Sequence, residues 1–363
     1  MSLSLNSSNS LYEFVVKDGN GVKGLADLGL LEVPERYIQP SYERINKQDS
    51  RECDMGPIDL SKLNGPEHKK VVDEIVKAAE TLGFFQVVNH GVPLELLDSL
   101  KHAAHSFFNL PSEEKAVYLK GVSPSPKISY GTSFAPEKEK ALEWKDYITM
   151  IYSSDEEALQ YWPNQCKKVA LEYVKLSSKM VKDIVEILIK KLEVESDESI
   201  IERLVGMKTV NMNYYPQCPN PDLTIGVGRH TDIGTITVLL QDDIGGLYAK
   251  AEDNDVAKEE WFEIPPIPGA LVINIGDTLQ ILSNGKYKSP EHRVKTTSTQ
   301  SRVSIPVFTL PIPTDKIGPL PEVVKKDGLA HYREVLMLDY MNNFFANVHG
   351  EKKTLDFARI NSA

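Results

Sequence analysis

Cysteine is scarce in this chain: Cys53, Cys166 and Cys218 are the three among 363 residues. They are too few and too scattered for a disulfide framework or a cysteine-based zinc site, and they fit a reducing compartment, so the cytoplasm is the expected location. Long apolar runs are missing as well. No stretch approaches the roughly eighteen residues needed to cross a bilayer, and a composition of 41% hydrophobic and 26% charged residues is that of a soluble globular protein. Met1–Ser10 is rich in Ser and Asn, without a basic segment or apolar core, and reads as a loose tail rather than a secretory signal. Positive charge is in deficit: the formal net charge of −11 removes the cationic footprint that nucleic-acid binding needs. Lys138–Lys140 and Lys325-Lys326 read as solvated faces. A phosphate loop is also missing. Gly245-Gly246-Leu247 and Asn274-Ile275-Gly276-Asp277 lack its glycine spacing and strand-to-helix setting, and both read as β turns.

The first half of the chain is a mixture of helices and short strands. Leu11–Val16 alternates weakly, Gly21–Leu31 reads as a short helix, and the charged stretch Pro40–Gly56 reads as irregular. Pro57–Leu60 is a strand candidate. Val71, Ile75, Ala78, Ala79 and Leu82 keep near-helical spacing within Pro66–Leu82, and Gly83 stops that helix. Phe84–Val88 reads as a buried strand and Asn89-His90-Gly91 as a turn, with His90 a turn or packing residue. Leu96, Leu97, Leu100, Ala104, Phe107 and Phe108 form the apolar side of a helix over Pro93–Phe108. Gly121–Pro136 is too irregular for a helix and reads as a loop that can line or close a pocket. Glu143–Ile151 follows as a strand. The longest helix starts at Trp162-Pro163 and ends near Leu192, its apolar positions recurring at three and four, and it is expected to back a sheet. Glu193–Glu202 is an acidic, helix-prone surface patch.

From Met207 the period changes to two. Val210–Tyr215 alternates, which puts Asn211, Asn213 and Tyr215 on one side of a strand. Ile236–Leu240, Leu247–Ala249, Trp261–Ile264, Leu271–Ile275 and Leu279–Leu282 follow as short β-type runs separated by Gly, Pro, Asn and Asp. A chain that winds back and forth brings distant residues together, and three of them carry chemistry. His230, Asp232 and His292 offer two imidazole nitrogens and a carboxylate oxygen. Three such ligands on one face of an octahedral ion leave the opposite face open, the arrangement of a non-haem iron(II) oxygenase. Arg302, Ser304 and Tyr215 supply a cationic fork and two hydroxyls suited to a dicarboxylate beside the metal. Arg302 and Ser304, two apart on a strand, point the same way, and Phe308 lies on that side too. Cys218, in the turn Cys218-Pro219-Asn220-Pro221, has no identifiable base and reads as structural. Tyr332–Phe345 reads as a closing helix that seals the barrel and lines the substrate entrance.

His230-Thr231-Asp232, His292, Arg302-Val303-Ser304 and Asn213-Tyr214-Tyr215-Pro216 resemble the signature of the plant 2-oxoglutarate-dependent dioxygenases. The resemblance covers essentially the whole chain, and Gly83-Phe84-Phe85-Gln86-Val87-Val88-Asn89-His90-Gly91-Val92 is similar to the N-terminal signature of that family. It implies a double-stranded β-helix, or jelly roll, with flanking helices. The expected division is 1–205 as a supporting helical and strand region, 206–312 as the jelly-roll core and 313–363 as a helical closure. The resemblance also implies Fe(II) on His230, Asp232 and His292, 2-oxoglutarate as cosubstrate and ascorbate as reductant. The distal carboxylate of 2-oxoglutarate would meet Arg302, with Ser304 and Tyr215 donating and Asn213 beside them. Gln280 is expected to reach inward. The expected partners are dioxygen and a small aromatic substrate, with no membrane and no nucleic acid, in a monomer.

Leu11–Val16, Gly19–Gly24 and Pro34–Pro40 are similar to the coumarin-biosynthesis branch of the family. Pro57–Leu60, Tyr130–Phe134, Asn211–Asn213 and Asn284–Ser289 lean within it toward the enzymes that hydroxylate a finished coumarin. The implied reaction is hydroxylation of scopoletin at carbon 8 to fraxetin, with ortho-hydroxylation of feruloyl-CoA or p-coumaroyl-CoA as the alternative. Tyr130, Phe134, Tyr147 and Phe308 are the candidate aromatic walls. A metal-binding structural protein or a β-sandwich ligand module would leave Arg302, Ser304 and Tyr215 without a shared task.

Overall fold

The computed structural model describes residues 8–45, 50–52, 56–133, 141–194, 198–251, 260–346 and 354–360. Phe134, Cys53 and Lys138–Lys140 lie outside them. Helices α1 (Ser8–Tyr12) and α2 (Gly21–Asp27) flank a π-helical turn at Glu13–Lys17. Strands β1 (Ser50–Glu52) and β2 (Ile58–Asp59) precede helix α3 (His68–Glu80), strand β3 (Phe84–Val88) and helices α4 (Leu94–Phe108) and α5 (Ser112–Ala116). Strands β4 (Ile128–Gly131) and β5 (Asp146–Tyr152) lead through α6 (Asp155–Tyr161) into α7 (Lys167–Lys191) and α8 (Glu198–Leu204).

The barrel strands follow as β6 (Met207–Tyr215), β7 (Val227–His230), β8 (Ile236–Gln241), β9 (Leu247–Lys250), β10 (Trp261–Ile264) and β11 (Leu271–Ile275). After helix α9 (Asp277–Leu282) come β12 (His292–Val294) and β13 (Arg302–Leu310). The closure consists of β14 (Lys316–Ile317), α10 (Pro321–Asp327), β15 (Val335–Leu336) and α11 (Met337–Ala346).

These strands make an eight-stranded sheet in the order β2-β3-β11-β8-β13-β6-β5-β4, facing a five-stranded sheet in the order β1-β10-β9-β12-β7. This is the double-stranded β-helix. Side chains alternate across a strand, and the large sheet uses both faces. Ile236, Val238 and Leu240 of β8, Ile273 of β11, Val303, Ile305 and Val307 of β13 and Met212 of β6 face the helices, where they pack with Ile75, Leu100, Phe107, Ile184 and Leu188 of α3, α4 and α7. Burying each aliphatic side chain of this kind contributes about 1.5–3 kcal/mol, so a charge in place of Val307 would unseat the helical layer. The other face carries Thr237, Asn274, Arg302, Ser304, Asn213 and Tyr215, brought side by side by the register of β11, β8, β13 and β6. Phe84, Tyr215 and Val272 of that face pack against Val227, Leu247, Ala249, Ile264 and Val294 of the small sheet. The polar patch therefore sits between the sheets, at one end of an apolar interior.

Several segments differ from expectation. Pro40–Gly56, read as irregular, contains β1, and Tyr332–Phe345, read as one helix, holds β15 before α11 starts at Met337. Leu279–Leu282 belongs to helix α9, because every residue from Asp277 to Leu282 is buried and an apolar run buried all round carries no period to separate helix from strand. Asn274-Ile275-Gly276-Asp277 is the exit of β11 into α9 rather than a β turn, so the strand-to-helix setting is present after all. Leu11–Val16 is helical, with Leu11, Val15, Val22 and Leu25 packing against Trp144 and Cys218. The stretch Gly121–Pro136 contains strand β4, which pairs with β5.

Candidate metal centre

Strand β7 ends on His230 and β12 begins on His292, and these two residues face each other in the antiparallel ladder. Cross-strand pairing thus brings the imidazoles together, with ring centroids 4.1 Å apart. Asp232 lies on the turn from β7 into β8, and its Oδ1 is 3.8 Å from His230 Nε2 and 3.7 Å from His292 Nε2. One ion bonded at about 2.1 Å to each atom reaches across such a gap. The ligand atoms of the three residues lie within 4.8 Å of one another.

Their neighbours aim them. His230 Nδ1 is 2.9 Å from the Gly228 carbonyl oxygen and His292 Nδ1 is 3.3 Å from that of Pro290. With the Nδ1–H donating to a carbonyl in each ring, the Nε2 lone pair is directed at the shared point. Asp232 Oδ2 accepts from Thr237 Oγ1 at 2.7 Å and Asn274 Nδ2 at 2.6 Å, which turns Oδ1 toward the imidazoles. Two neutral nitrogens and one carboxylate on one side, each oriented by a hydrogen bond, suit iron(II) with open positions. Thr237 and Asn274 were not singled out from the sequence. Their signal is a lone polar residue on the inward face of an otherwise apolar strand, Ile236–Leu240 and Leu271–Ile275. A second carboxylate, Asp277, is fully buried under this loop. Burial pushes its pKa up to about 7, while hydrogen bonds from Ser289, Tyr340 and Thr231 pull the other way.

Beside the triad, β13 places Arg302 opposite Tyr215 and Ser304 opposite Asn213 and Gln241. The Arg302 side chain is 1% exposed. Its Nη2 donates to Gln241 Oε1 at 3.1 Å, and its carbon Cζ stands 5.1 Å from the Tyr215 ring centroid. Nε and Nη1 are buried without a hydrogen-bond partner. A buried guanidinium with unused donors is costly, and a carboxylate ligand docked end-on, on Nη1 and the second hydrogen of Nη2, would satisfy Nη1. Ser304 Oγ completes the patch, 3.4 Å from both Asn213 Nδ2 and Tyr215 Oη. Asp242, whose Oδ1 is 4.0 Å from Arg302 Nε, has its pKa raised by burial despite that cation.

The candidate aromatic walls separate. Tyr147 is opposite Asn213, on the inner face. Phe308 is opposite Thr237, also on that face, and packs half-buried against the cluster of Ile281, Leu310, Met337 and Tyr340, as do Ile233, Met341 and Phe357. Tyr130 is a correction: it pairs with Ile148, on the other face, and its ring packs on Phe107 and Phe108, so it belongs to the helical core. Gln280 is another, since its Nε2 donates to Tyr332 Oη at 2.9 Å, away from the triad. His90 is a packing residue, its Nε2 3.0 Å from the Gly269 oxygen. Cys218 is buried, with Sγ 3.1 Å from Thr224 Oγ1 and its pKa raised by burial. No helix among the described residues is long and apolar enough to cross a membrane.

Residues 207–311 match the 2OG-Fe(II) oxygenase superfamily, and residues 57–169 match the N-terminal region described as non-haem dioxygenase in morphine synthesis. The chain is 59% identical over 360 residues to scopoletin 8-hydroxylase of Arabidopsis thaliana, covering 99% of each chain. It is 51% identical over 355 residues to a feruloyl CoA ortho-hydroxylase of Ipomoea batatas, covering 97% of this chain and 98% of that one. Among solved structures, JOX2 in complex with 2OG, Fe and JA superposes with a TM-score of 0.81 at 31% identity, covering 94% of this chain and 97% of that chain. Sequence, fold and the oriented His/Asp/His set agree: the chain belongs to the 2OG-Fe(II) oxygenase superfamily and is an iron(II)- and 2-oxoglutarate-dependent dioxygenase.

Proposed function

We propose that this enzyme hydroxylates scopoletin at carbon 8 to give fraxetin. Scopoletin, 2-oxoglutarate and dioxygen are consumed; one oxygen atom replaces the ring hydrogen as hydroxyl, the other enters the new carboxylate of succinate, and CO2 leaves. His230, Asp232 and His292 hold the iron, which when bound supplies the redox chemistry. Thr237, Asn274, Gly228 and Pro290 keep the three ligands aimed. Arg302 clamps the distal carboxylate of 2-oxoglutarate through two parallel N–H donors, with Ser304, Tyr215 and Asn213 fixing its rotation. Tyr147, and the half-buried set Phe308, Ile233 and Met341, form walls for a flat bicycle and keep water from the reacting carbon. Ascorbate would serve as the reductant that keeps bound iron ferrous, and the enzyme acts as a cytoplasmic monomer.

The observation that carries this reading is the 59% identity over 99% of the chain to a scopoletin 8-hydroxylase. A second observation favours it over a CoA ester, whose several negative charges call for a basic rim. The cations next to the site face carboxylates: Lys145 Nζ is 2.9 Å from Glu143, Arg229 Nε is 3.4 Å from Glu43 and Lys250 Nζ is 3.2 Å from Glu291. The test is turnover of scopoletin with iron(II), 2-oxoglutarate, ascorbate and 18O2. The expected product carries one labelled oxygen at carbon 8, with equimolar labelled succinate. Succinate without a hydroxylated coumarin would overturn the substrate and leave the reaction class standing.

A further inference from the structure

The segment from Asn274 to Thr278 is a clasp around the metal-bearing loop. Gly276 N donates to Thr235 O at 3.0 Å, Asp277 N to Asp232 O at 2.7 Å and Thr278 N to Gly234 O at 3.0 Å. Thr278 Oγ1 adds a bond to Ile233 O at 2.8 Å. The approach is so close that a Cβ on Gly276 would lie 2.1 Å from the Gly234 oxygen. Within this clasp, the Asp277 carboxylate gathers three hydroxyls from three parts of the chain. Thr231 Oγ1, between His230 and Asp232, donates to Oδ2 at 3.1 Å. Ser289 Oγ donates to Oδ1 at 2.7 Å, one residue before the Pro290 carbonyl that takes His292 Nδ1. Tyr340 Oη, from the middle of helix α11, donates to Oδ2 at 2.7 Å.

We propose that Asp277 is a positioning residue that fastens both histidine arms to one point and, through the Tyr340 hydroxyl, couples the closing helix α11 to the metal. Thr231 sets one arm and Ser289 the other, so the carboxylate fixes the gap between the imidazoles. The same carboxylate takes the only hydroxyl that α11 sends toward the loop among the hydrogen bonds described. Metal binding that tightens the loop must then tighten α11, and docking of α11 must strengthen metal binding by the same factor, because coupling between two binding equilibria is reciprocal. Since Met337 and Tyr340 of α11 belong to the buried cluster against which Phe308, Ile233 and Met341 pack, this links the order of the proposed substrate wall to occupancy of the iron site. The inference rests on the triad being that site.

The test uses the full chain and Co(II), without turnover, comparing wild type with Tyr340→Phe, Ser289→Ala and Tyr332→Phe. Tyr332 is the control, because it is buried in the same cluster and its hydroxyl meets Gln280 instead of Asp277. Partners that orient metal ligands are worth about 10–100-fold in affinity, so loss of one of the three hydroxyls should weaken Co(II) by roughly 3–10-fold and alter its ligand-field absorption. Tyr332→Phe should stay within about twofold. Amide exchange within Met337–Ala346 should slow on adding Co(II) to wild type, and this protection should vanish in Tyr340→Phe. Wild-type Co(II) affinity and undiminished protection in a folded Tyr340→Phe would overturn the proposal, as would an equal loss in Tyr332→Phe. Absence of Co(II) binding by the wild type would overturn the triad assignment with it.

Discussion

Replacing Arg302 by alanine removes a cation that is 1% exposed, with Nη1 and Nε making no hydrogen bond and Nε facing Asp242 Oδ1 at 4.0 Å. In the proposed end-on clamp, Nη1 and the second hydrogen of Nη2 would each make a charge-assisted hydrogen bond to 2-oxoglutarate worth about 1.5–3 kcal/mol, so the gross loss would be roughly 3–6 kcal/mol. Part of this returns, because the free variant no longer buries an unsatisfied guanidinium. A net loss of about 2–4 kcal/mol is expected, which is roughly 30–1,000-fold in the dissociation constant of 2-oxoglutarate. Lysine at the same position keeps the charge and loses the fork, and should fall between wild type and alanine. Ser304→Ala and Tyr215→Phe each remove one neutral hydroxyl and should cost about 0.5–1.5 kcal/mol. The assay is anaerobic calorimetric titration of 2-oxoglutarate into Mn(II)-loaded protein, with scopoletin titrated in parallel. Arg302→Ala should shift the first constant and leave the second within about twofold. A 2-oxoglutarate constant unchanged in Arg302→Ala would remove the guanidinium from the cosubstrate site.

Three further perturbations probe the surroundings. His230→Ala, Asp232→Ala and His292→Ala should each abolish turnover and iron retention, measured by metal analysis after desalting; retained iron in all three would refute the assignment. Asn274→Ala and Thr237→Ala leave Asp232 Oδ2 with one donor fewer and should weaken iron(II) by about 10–100-fold, with wild-type affinity counting against their orienting role. Asp146 is fully buried, accepts from Val22 N at 2.7 Å and Lys23 N at 2.9 Å, and burial raises its pKa from 3.8 to about 6. The folded state thus favours the neutral acid, so the stability from this group is present at low pH and is lost as pH rises from the unfolded value through about 6, roughly 3 kcal/mol in all. The unfolding free energy of the wild type should fall relative to that of Asp146→Asn by about that much between about pH 4 and 7, and a pH-independent difference would refute the coupling.

Much of this was legible in the sequence because strands that divide two environments must alternate. Val210–Tyr215 announced its inner face, and the register of β13 against β6 then placed Arg302 and Ser304 where two-residue spacing put them. The long helix ending near Leu192 was equally plain, since its one apolar stripe meets a sheet. Where burial was complete the signal vanished: Leu279–Leu282, apolar and enclosed on every side, read as a strand and is a helix. Tyr130 failed for a different reason. Its strand was hidden in a stretch rich in Ser, Pro and Gly, and a strand of unknown register gives no face to its side chains. The partners of the metal ligands were missed for a third reason, although Thr237 and Asn274 each stand as a lone polar residue in an apolar strand. That pattern marks an inward face and names no partner: Asn274 and Asp277 meet Asp232, Thr231, Ser289 and Tyr340 only through tertiary folding.

The most direct measurement is the ratio of kcat/KM for scopoletin to that for feruloyl-CoA and p-coumaroyl-CoA, assayed side by side with succinate release and the organic product identified by mass and NMR. Scopoletin should be preferred by at least about tenfold, a difference of roughly 1.4 kcal/mol in transition-state binding, and should yield fraxetin. A higher kcat/KM for either CoA ester, with ortho-hydroxylation and closure to a coumarin lactone, would contradict it.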